Sequence, residues 1–319
     1  DQSSDNTVKI AEQAIGSFAD AHHPSAAVLQ AGPRPKGERW VGKNWGCSQA
    51  MEQIRSEWVL FIDADVTLAP DAIRRALQQS INEKADLFSL APRLTCGCLA
   101  EWMVQPIMAS LLGLGFPILE ANDPASTVAF AAGPFMLFRR DSYNTIGGHR
   151  ALAGEVVEDL ALARRIKEGG FRLRYVLGID AVNLQMYASL EALWEGWSKN
   201  WFLGLDRSIS KSLGAGGVVL LMFTLPWLLL PTSLTMAFLS NQDQILWLCD
   251  AGLAFIAILM QLVVRLWTRT RFSVPLRHWW LMGIGGVIIG LIAPTSVWKS
   301  LTGRGWTWKG RSLAEAHEL

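Results

Sequence analysis

The sequence has almost no net charge of either sign. Its 29 Lys and Arg stand against 28 Asp and Glu, for a formal charge of +1. That balance gives no bulk electrostatic reason to expect a nucleic acid as partner. Cysteine is scarce as well: Cys47, Cys96, Cys98 and Cys249 are all there are. None sits in a CxxC pair, and Cys96-Gly-Cys98 is one residue short of one, so the usual structural zinc spacings are excluded. Reduced thiols in a cytosol-facing protein are the expectation. Acidic residues fade along the chain; beyond Leu213 only Asp243, Asp250, Glu315 and Glu318 occur.

What replaces them is apolar. Three runs, 216–239, 245–264 and 279–298, each come to the ~20 residues that a membrane-spanning helix needs. Many of the 15 tryptophans flank these runs or lie just ahead of them, as interfacial anchors do. The first link, SNQDQ, has no Lys or Arg, whereas the second carries Arg265, Arg269, Arg271 and Arg277. Positive charge stays inside, so the second link and the soluble residues ahead of the runs belong in the cytoplasm. Three crossings would send the basic tail outward, against the same rule; a re-entrant third segment broken at Pro294 would remove the conflict. The expected organisation is a soluble α/β domain at 1–212, a transmembrane region at 213–302 and a basic tail at 303–319.

Ahead of the runs, WVLFIDADV at 58–66 organises the chain. Its apolar stretch reads as a fully buried strand of a parallel sheet, ending in Asp63 and Asp65 at the carboxyl end where open α/β sheets bind ligands. In an extended segment residues i and i+2 share a side, so both carboxylates could face one Mg²⁺ or Mn²⁺ together with substrate phosphates. The alternative is a strand ending in a solvated Asx turn. Around it, strands and helices alternate. A helix capped by Ser4 or Asp5 covers 7–19, a strand 26–30, a helix about 43–56, a helix 70–82 and a strand 86–90. Next come a strand at 128–139, a helix at 155–168, a strand at 172–177 and a Trp-rich helix at 190–201. The pattern predicts a parallel or mixed sheet. Residues 99–119 are apolar but interrupted by Glu101, Gln105, Pro106 and Pro117. They are expected to form an interfacial or partly buried helix rather than a span.

In order, the chain presents DQSSDNT, a Gly42-Lys43 loop, FIDADV, GPFMLFRR, IGGH and VVEDLALARRIKEGG. This ordered set resembles family 2 glycosyltransferases of the GT-A (Rossmann-like) fold, above all their membrane-bound, hopanoid-associated and carotenoid-type branch. Asp1 stands inside the first motif, so the chain is read as N-terminally truncated, lacking the family's first strand. The resemblance implies an inverting enzyme that moves a sugar from a nucleotide-diphosphate sugar, a UDP-sugar at family level, to a lipid acceptor. It would work at the cytoplasmic face of the cell (inner) membrane. It implies Asp65 as metal ligand, Asp63 as ribose contact or shared metal ligand, Asp1 as reader of the base and Lys43 as a nucleotide contact. Glu158-Asp159 resembles the ED motif, whose aspartate is the base, with Glu158 on the donor side; Gly133-Pro134 resembles a segment lining the acceptor side. The bland counterparts are a solvated Lys43 and an acidic helix turn pairing with Arg164 or Arg165. For Gly133-Pro134 the counterpart is a bare turn; His149 is expected to be structural, with contact to the diphosphate as its alternative. A processive synthase would carry Q-x-x-R-W, but the corresponding stretch reads QMYAS with no Arg-Trp. Such a synthase, or an inactive membrane-anchored binding module, remains the competing reading.

Overall fold

The structure, a computed structural model, describes residues 3, 5–17, 26–240, 242–308 and 311–313. Helix α1 (Thr7–Ser17) starts where the Thr7 N–H donates to Asp5 Oδ1 at 3.0 Å, and it buries no residue. Residues 26–41 then run without regular structure. The strand expected at 26–30 does not form, because extended backbone becomes a strand only when a neighbour takes its hydrogen bonds, and among the described residues none does.

Helix α2 (Gly42–Gln53) leads into β1 (Trp58–Ile62), β2 (Val66–Leu68), α3 (Ala72–Asn82), β3 (Leu87–Ala91) and β4 (Arg93–Leu94). Helices α4 (Leu99–Gly115) and α5 (Ile118–Asn122) follow, then β5 (Phe135–Arg139), α6 (Arg140–Thr145), α7 (Glu158–Glu168), β6 (Leu173–Leu177), β7 (Val182–Leu184) and α8 (Leu190–Gly204). The main sheet has the order β1-β5-β3-β6 and is mixed: β3 and β6 are parallel, and β5 is antiparallel to β1 and β3. A smaller sheet, β2-β7-β4, lies beside it.

Three expectations are corrected here. Among the described residues β1 is an edge strand held only by β5, antiparallel, and of its five residues only Val59 is buried. The fully buried run is β3, all five residues of it; an apolar stretch of this length does not tell a central strand from an edge. The strand expected from 128 begins only at Phe135, after Pro134, which has no N–H for a ladder. Helix α7 begins at Glu158 rather than 155. Buried Asn44 takes the Glu155 carbonyl at 2.8 Å, the acceptor that an earlier helix start would have used.

Helix α9 (Ile209–Val219) runs through a π-helical stretch, 220–224, into α10 (Leu225–Leu239); α11 (Gln244–Phe272) and α12 (Met282–Thr302) follow. The π stretch has a local cause. Pro226 has no N–H for the Met222 carbonyl, and Gln261 Nε2 on α11 donates to that carbonyl instead, at 2.8 Å. Three helical segments are long and apolar enough to cross a membrane: Ile209–Leu239, Gln244–Phe272 and Trp279–Thr302. Pro294 does not break the third, which is continuous and packs Ile289, Ile292, Ala293 and Val297 inward. A two-stranded hairpin, β8 (Thr307–Trp308) and β9 (Arg311–Ser312), ends the described chain.

Helix α4 is where the sheet region and the apolar helices meet. Its Val104 and Ile107 share a core with Leu193, Trp197 and Trp201 of α8, and with Ile289 and Ile292 of α12. The polar residues that interrupt it all have partners. Glu101, fully buried, accepts from Gly97 N and Tyr187 N, each at 2.8 Å, and Gln105 Oε1 accepts from Trp197 Nε1 at 3.0 Å. They tie the helix to the sheet region rather than to solvent.

Candidate active site

The strand β1 stops at Ile62, and Asp63–Val66 is a turn closed by Val66 N donating to Asp63 O at 3.3 Å. The two-residue periodicity of a strand therefore does not govern where Asp63 and Asp65 point. Asp63 reaches Lys43, whose Nζ lies 2.6 Å from Asp63 Oδ1 and 2.6 Å from Glu158 Oε1. One ammonium thus joins the end of β1 to the start of α7. The Lys43 and Asp63 side chains keep 35% and 31% of their exposure and Glu158 only 8%, so the bridge is open to solvent on the Lys43–Asp63 side and closed at Glu158.

Burial alone would drive Lys43 towards its neutral form; the charges of Glu158 and Asp63 outweigh it and hold the lysine well above its ordinary range. For Glu158 burial pushes the carboxyl up, but the Lys43 ammonium wins and holds it below the usual range. Both partners therefore stay ionised. The solvated alternative for Lys43 does not apply.

Asp159 is the second residue of α7, half-buried, and Arg164 and Arg165 are turned elsewhere, to Asp206 and to the Ile146 carbonyl. Its Oδ2 accepts from Gly133 N at 3.0 Å and its Oδ1 from Leu160 N at 2.8 Å. A Cβ at position 133 would stand 3.0 Å from Asp159 Oδ2, so glycine is what lets this carboxylate meet the backbone. Ser89, buried on β3, fixes the loop by accepting Ala132 N at 2.8 Å and donating back to Ala132 O at 3.2 Å. Desolvation first, and the adjacent Glu158 charge second, raise the Asp159 carboxyl to about 6. Two backbone donors and the helix N-terminus oppose that rise without cancelling it.

Several contributors were invisible in the sequence. Asn44 donates to the carbonyls of Leu152 (2.5 Å) and Glu155 (2.8 Å), anchoring the segment that delivers Glu158. Nothing marks the Asn of VGKNWG for this; its partners are over a hundred residues away. Lys199 on α8 lies within the field of Glu158, Asp159, Asp63 and Lys43. A half-buried row of rings, Phe116, Phe130 and Tyr175, starts at the end of α4 with centroids 4.6 and 5.1 Å apart, and its last ring, Tyr175, lies within the field of Asp159. His149 is buried and structural in its contacts: its Nδ1 lies 2.7 Å from the Tyr143 hydroxyl, and burial lowers it to about 4. Asp1 lies outside the described residues.

Among the described residues no three His, Cys, Asp or Glu side chains gather into a metal cage. What exists is the Asp63–Asp65 pair, with Asp65 exposed and, among the described residues, engaged by no other side chain. Two hard carboxylate donors fit a Mg²⁺ or Mn²⁺ whose remaining ligands are phosphate and water, and would not suffice for an all-protein cage. All four cysteines are free.

Residues 1–193 match the family described as glycosyltransferase like family 2. The 4,4'-diaponeurosporenoate glycosyltransferase of Staphylococcus aureus strain MRSA252 is 26% identical over 188 residues, which is 58% of this chain and 49% of that protein. Its counterpart in strain USA300 aligns with the same identity and coverage. The chain therefore spans about half the length of the curated relatives it matches.

Proposed function

This chain belongs to the glycosyltransferase like family 2, and from that premise we propose that it transfers a sugar from a UDP-sugar to a lipid-like acceptor at the cytoplasmic face of the membrane. The observation that carries this reading is the Asp63–Lys43–Glu158 bridge, with Asp159 next in sequence. It ties the DAD turn to the ED pair through one ammonium.

The chemistry follows from the groups. An acceptor hydroxyl attacks the anomeric carbon, the sugar–phosphate bond breaks, and the nucleoside diphosphate leaves with the bonding electrons. Asp159 takes the hydroxyl proton. A carboxyl raised to about 6 is a better proton acceptor than an ordinary one and is still ionised at neutral pH. Glu158 is committed to Lys43 and unsuited to attack the sugar, so one displacement and inversion result. A Mg²⁺ or Mn²⁺ held by Asp65 with Asp63 would supply Lewis-acid stabilisation of the diphosphate. The ring row from α4 offers an apolar approach to Asp159, which supports a lipid-like acceptor. So does the name of the relatives, whose acceptor is 4,4'-diaponeurosporenoate.

The same proposal sets the topology. Both ends of α12 touch the sheet-bearing part of the chain. Near its start Gly285 lies so close to the Met103 carbonyl of α4 that a side chain would clash, and His278 sits edge-on to Trp102 at 5.6 Å. Near its end Ser296 Oγ donates to Ser198 O of α8 at 2.6 Å and accepts from Phe202 N at 3.0 Å. Only two crossings, 209–239 and 244–272, then remain, and the tail returns to the cytoplasmic face, as its charge requires.

The test uses membranes containing the chain, Mn²⁺ and a panel of radiolabelled nucleotide sugars. Label in the lipid extract is the expected result. Label in insoluble polymer would replace this reading with polymer synthesis, and no label from any donor would remove enzymatic transfer.

A further inference from the structure

The site holds an imbalance of charge. Asp63 and Glu158 share the single ammonium of Lys43, and Asp65 and Asp159 stand one or two residues from them in sequence. A nucleoside diphosphate is itself an anion, so a second cation is needed where it binds. Lys199, which lies within the field of Glu158, Asp159, Asp63 and Lys43, is that cation. It is half-buried on α8 and, among the described residues, makes no hydrogen bond or ion pair. An ammonium held this way lacks the donors' partners that water would give it.

What it does have is a ring. Lys199 Nζ stands 4.3 Å from the centroid of Trp308, on the hairpin that follows α12. The hairpin is fixed rather than loosely laid on. Thr307 Oγ1 donates to Glu195 Oε1 at 2.7 Å, Leu313 N donates to Trp306 O at 2.9 Å, and Trp306 is buried. Glu195 and Lys199 are one helical turn apart, so they present a single face of α8 to the hairpin. A cation over a tryptophan face keeps its charge while its N–H donors stay available. Desolvation lowers the Lys199 ammonium from its ordinary range, with Glu158 and Asp159 opposing that, as expected of a cation drawn out of water near those carboxylates.

We propose that Lys199 binds the diphosphate of the donor, and that Trp308 of the C-terminal hairpin is the positioning residue that holds it there. The segment beyond the last apolar helix is thereby part of the donor site. This rests on the glycosyl-transfer reading and adds a residue to it.

The test measures binding rather than turnover. The full chain in detergent with Mg²⁺ is titrated with UDP and UMP, and with GDP and GMP. Lys199→Gln should weaken the diphosphate by about tenfold or more while leaving the monophosphate within about twofold. Lys199→Arg should restore most of the diphosphate affinity, and Trp308→Leu should lose part of it with the same selectivity. Equal weakening of mono- and diphosphate in Lys199→Gln would mean a merely structural lysine and overturn the proposal, as would unchanged affinity for both. A wild-type chain that binds none of the four nucleotides would overturn the glycosyl-transfer reading itself. That outcome is read on the unmutated protein and so stands apart from the others.

Discussion

Asp159 shows how little one residue's type reveals about its role. An aspartate at the start of a helix is ordinarily well ionised and inert. Here burial and the neighbouring Glu158 lift it to about 6 despite two backbone donors. Asp159→Asn keeps the shape but removes the proton acceptor, and its effect on transfer should be a fall of about 10²–10⁴-fold. Donor binding, followed by nucleotide titration, should stay close to wild type; retained turnover would take the base role away. The pH dependence has a definite sign. The base works ionised, so transfer per unit of enzyme and substrate should rise with pH up to about 6 and level off above it. A profile flat down to the ordinary carboxylate range would contradict the raised carboxyl. The Asp63–Asp65 and Glu158–Asp159 pairs were legible in the sequence because each is a local motif. Asn44, Ser89 and Lys199 were not, since each acts on residues tens to more than a hundred positions away.

At the scale of elements, periodicity located the helices well and the strands less well. The Trp-rich helix and the three apolar segments are where their patterns put them, because a helix's apolar face is written in its own sequence. Strands depend on neighbours. The expected strand at 26–30 has none, and β1, expected at the buried centre, lies at an edge. Proline gave mixed signals for the same reason. Pro226 goes with a π stretch, whereas Pro294 sits in a continuous helix. The difference lies in what surrounds each. Gln261 serves the α10–α11 pair twice, donating to the Met222 carbonyl and accepting from Trp227 Nε1 at 2.8 Å. Replacing it by leucine leaves both without partners, and Gln261→Leu should lower stability by about 1–3 kcal/mol. Thermal unfolding in detergent would register this as a lower Tm, while an unchanged Tm would mean the bulge satisfies itself.

For the whole molecule, the apolar segments are not equal. The first two buttress each other, whereas α12 packs on α4 and α8 as well as on the first segment around Val219 and Phe223. With two crossings, a cysteine-free background carrying Arg277→Cys or Arg304→Cys should react with an impermeant maleimide from one face of the membrane. Gln242→Cys should react only from the other. Finding Arg304→Cys on the side of Gln242→Cys would mean that α12 crosses. The same packing brings the hairpin onto α8, against Glu195 and Lys199.

The sequence by itself determined that this is an α/β domain with long apolar helices and a pair of acidic motifs, because helix periodicity, apolar run length and local motifs are properties of neighbouring residues. Tertiary structure alone decided which carboxylate is tied to Lys43 and which meets two backbone donors with its carboxyl raised. It also decided which strand is an edge, and that the chain's last hairpin folds back onto α8. Those outcomes depend on burial and on distances between residues far apart in the chain, and no local pattern encodes either.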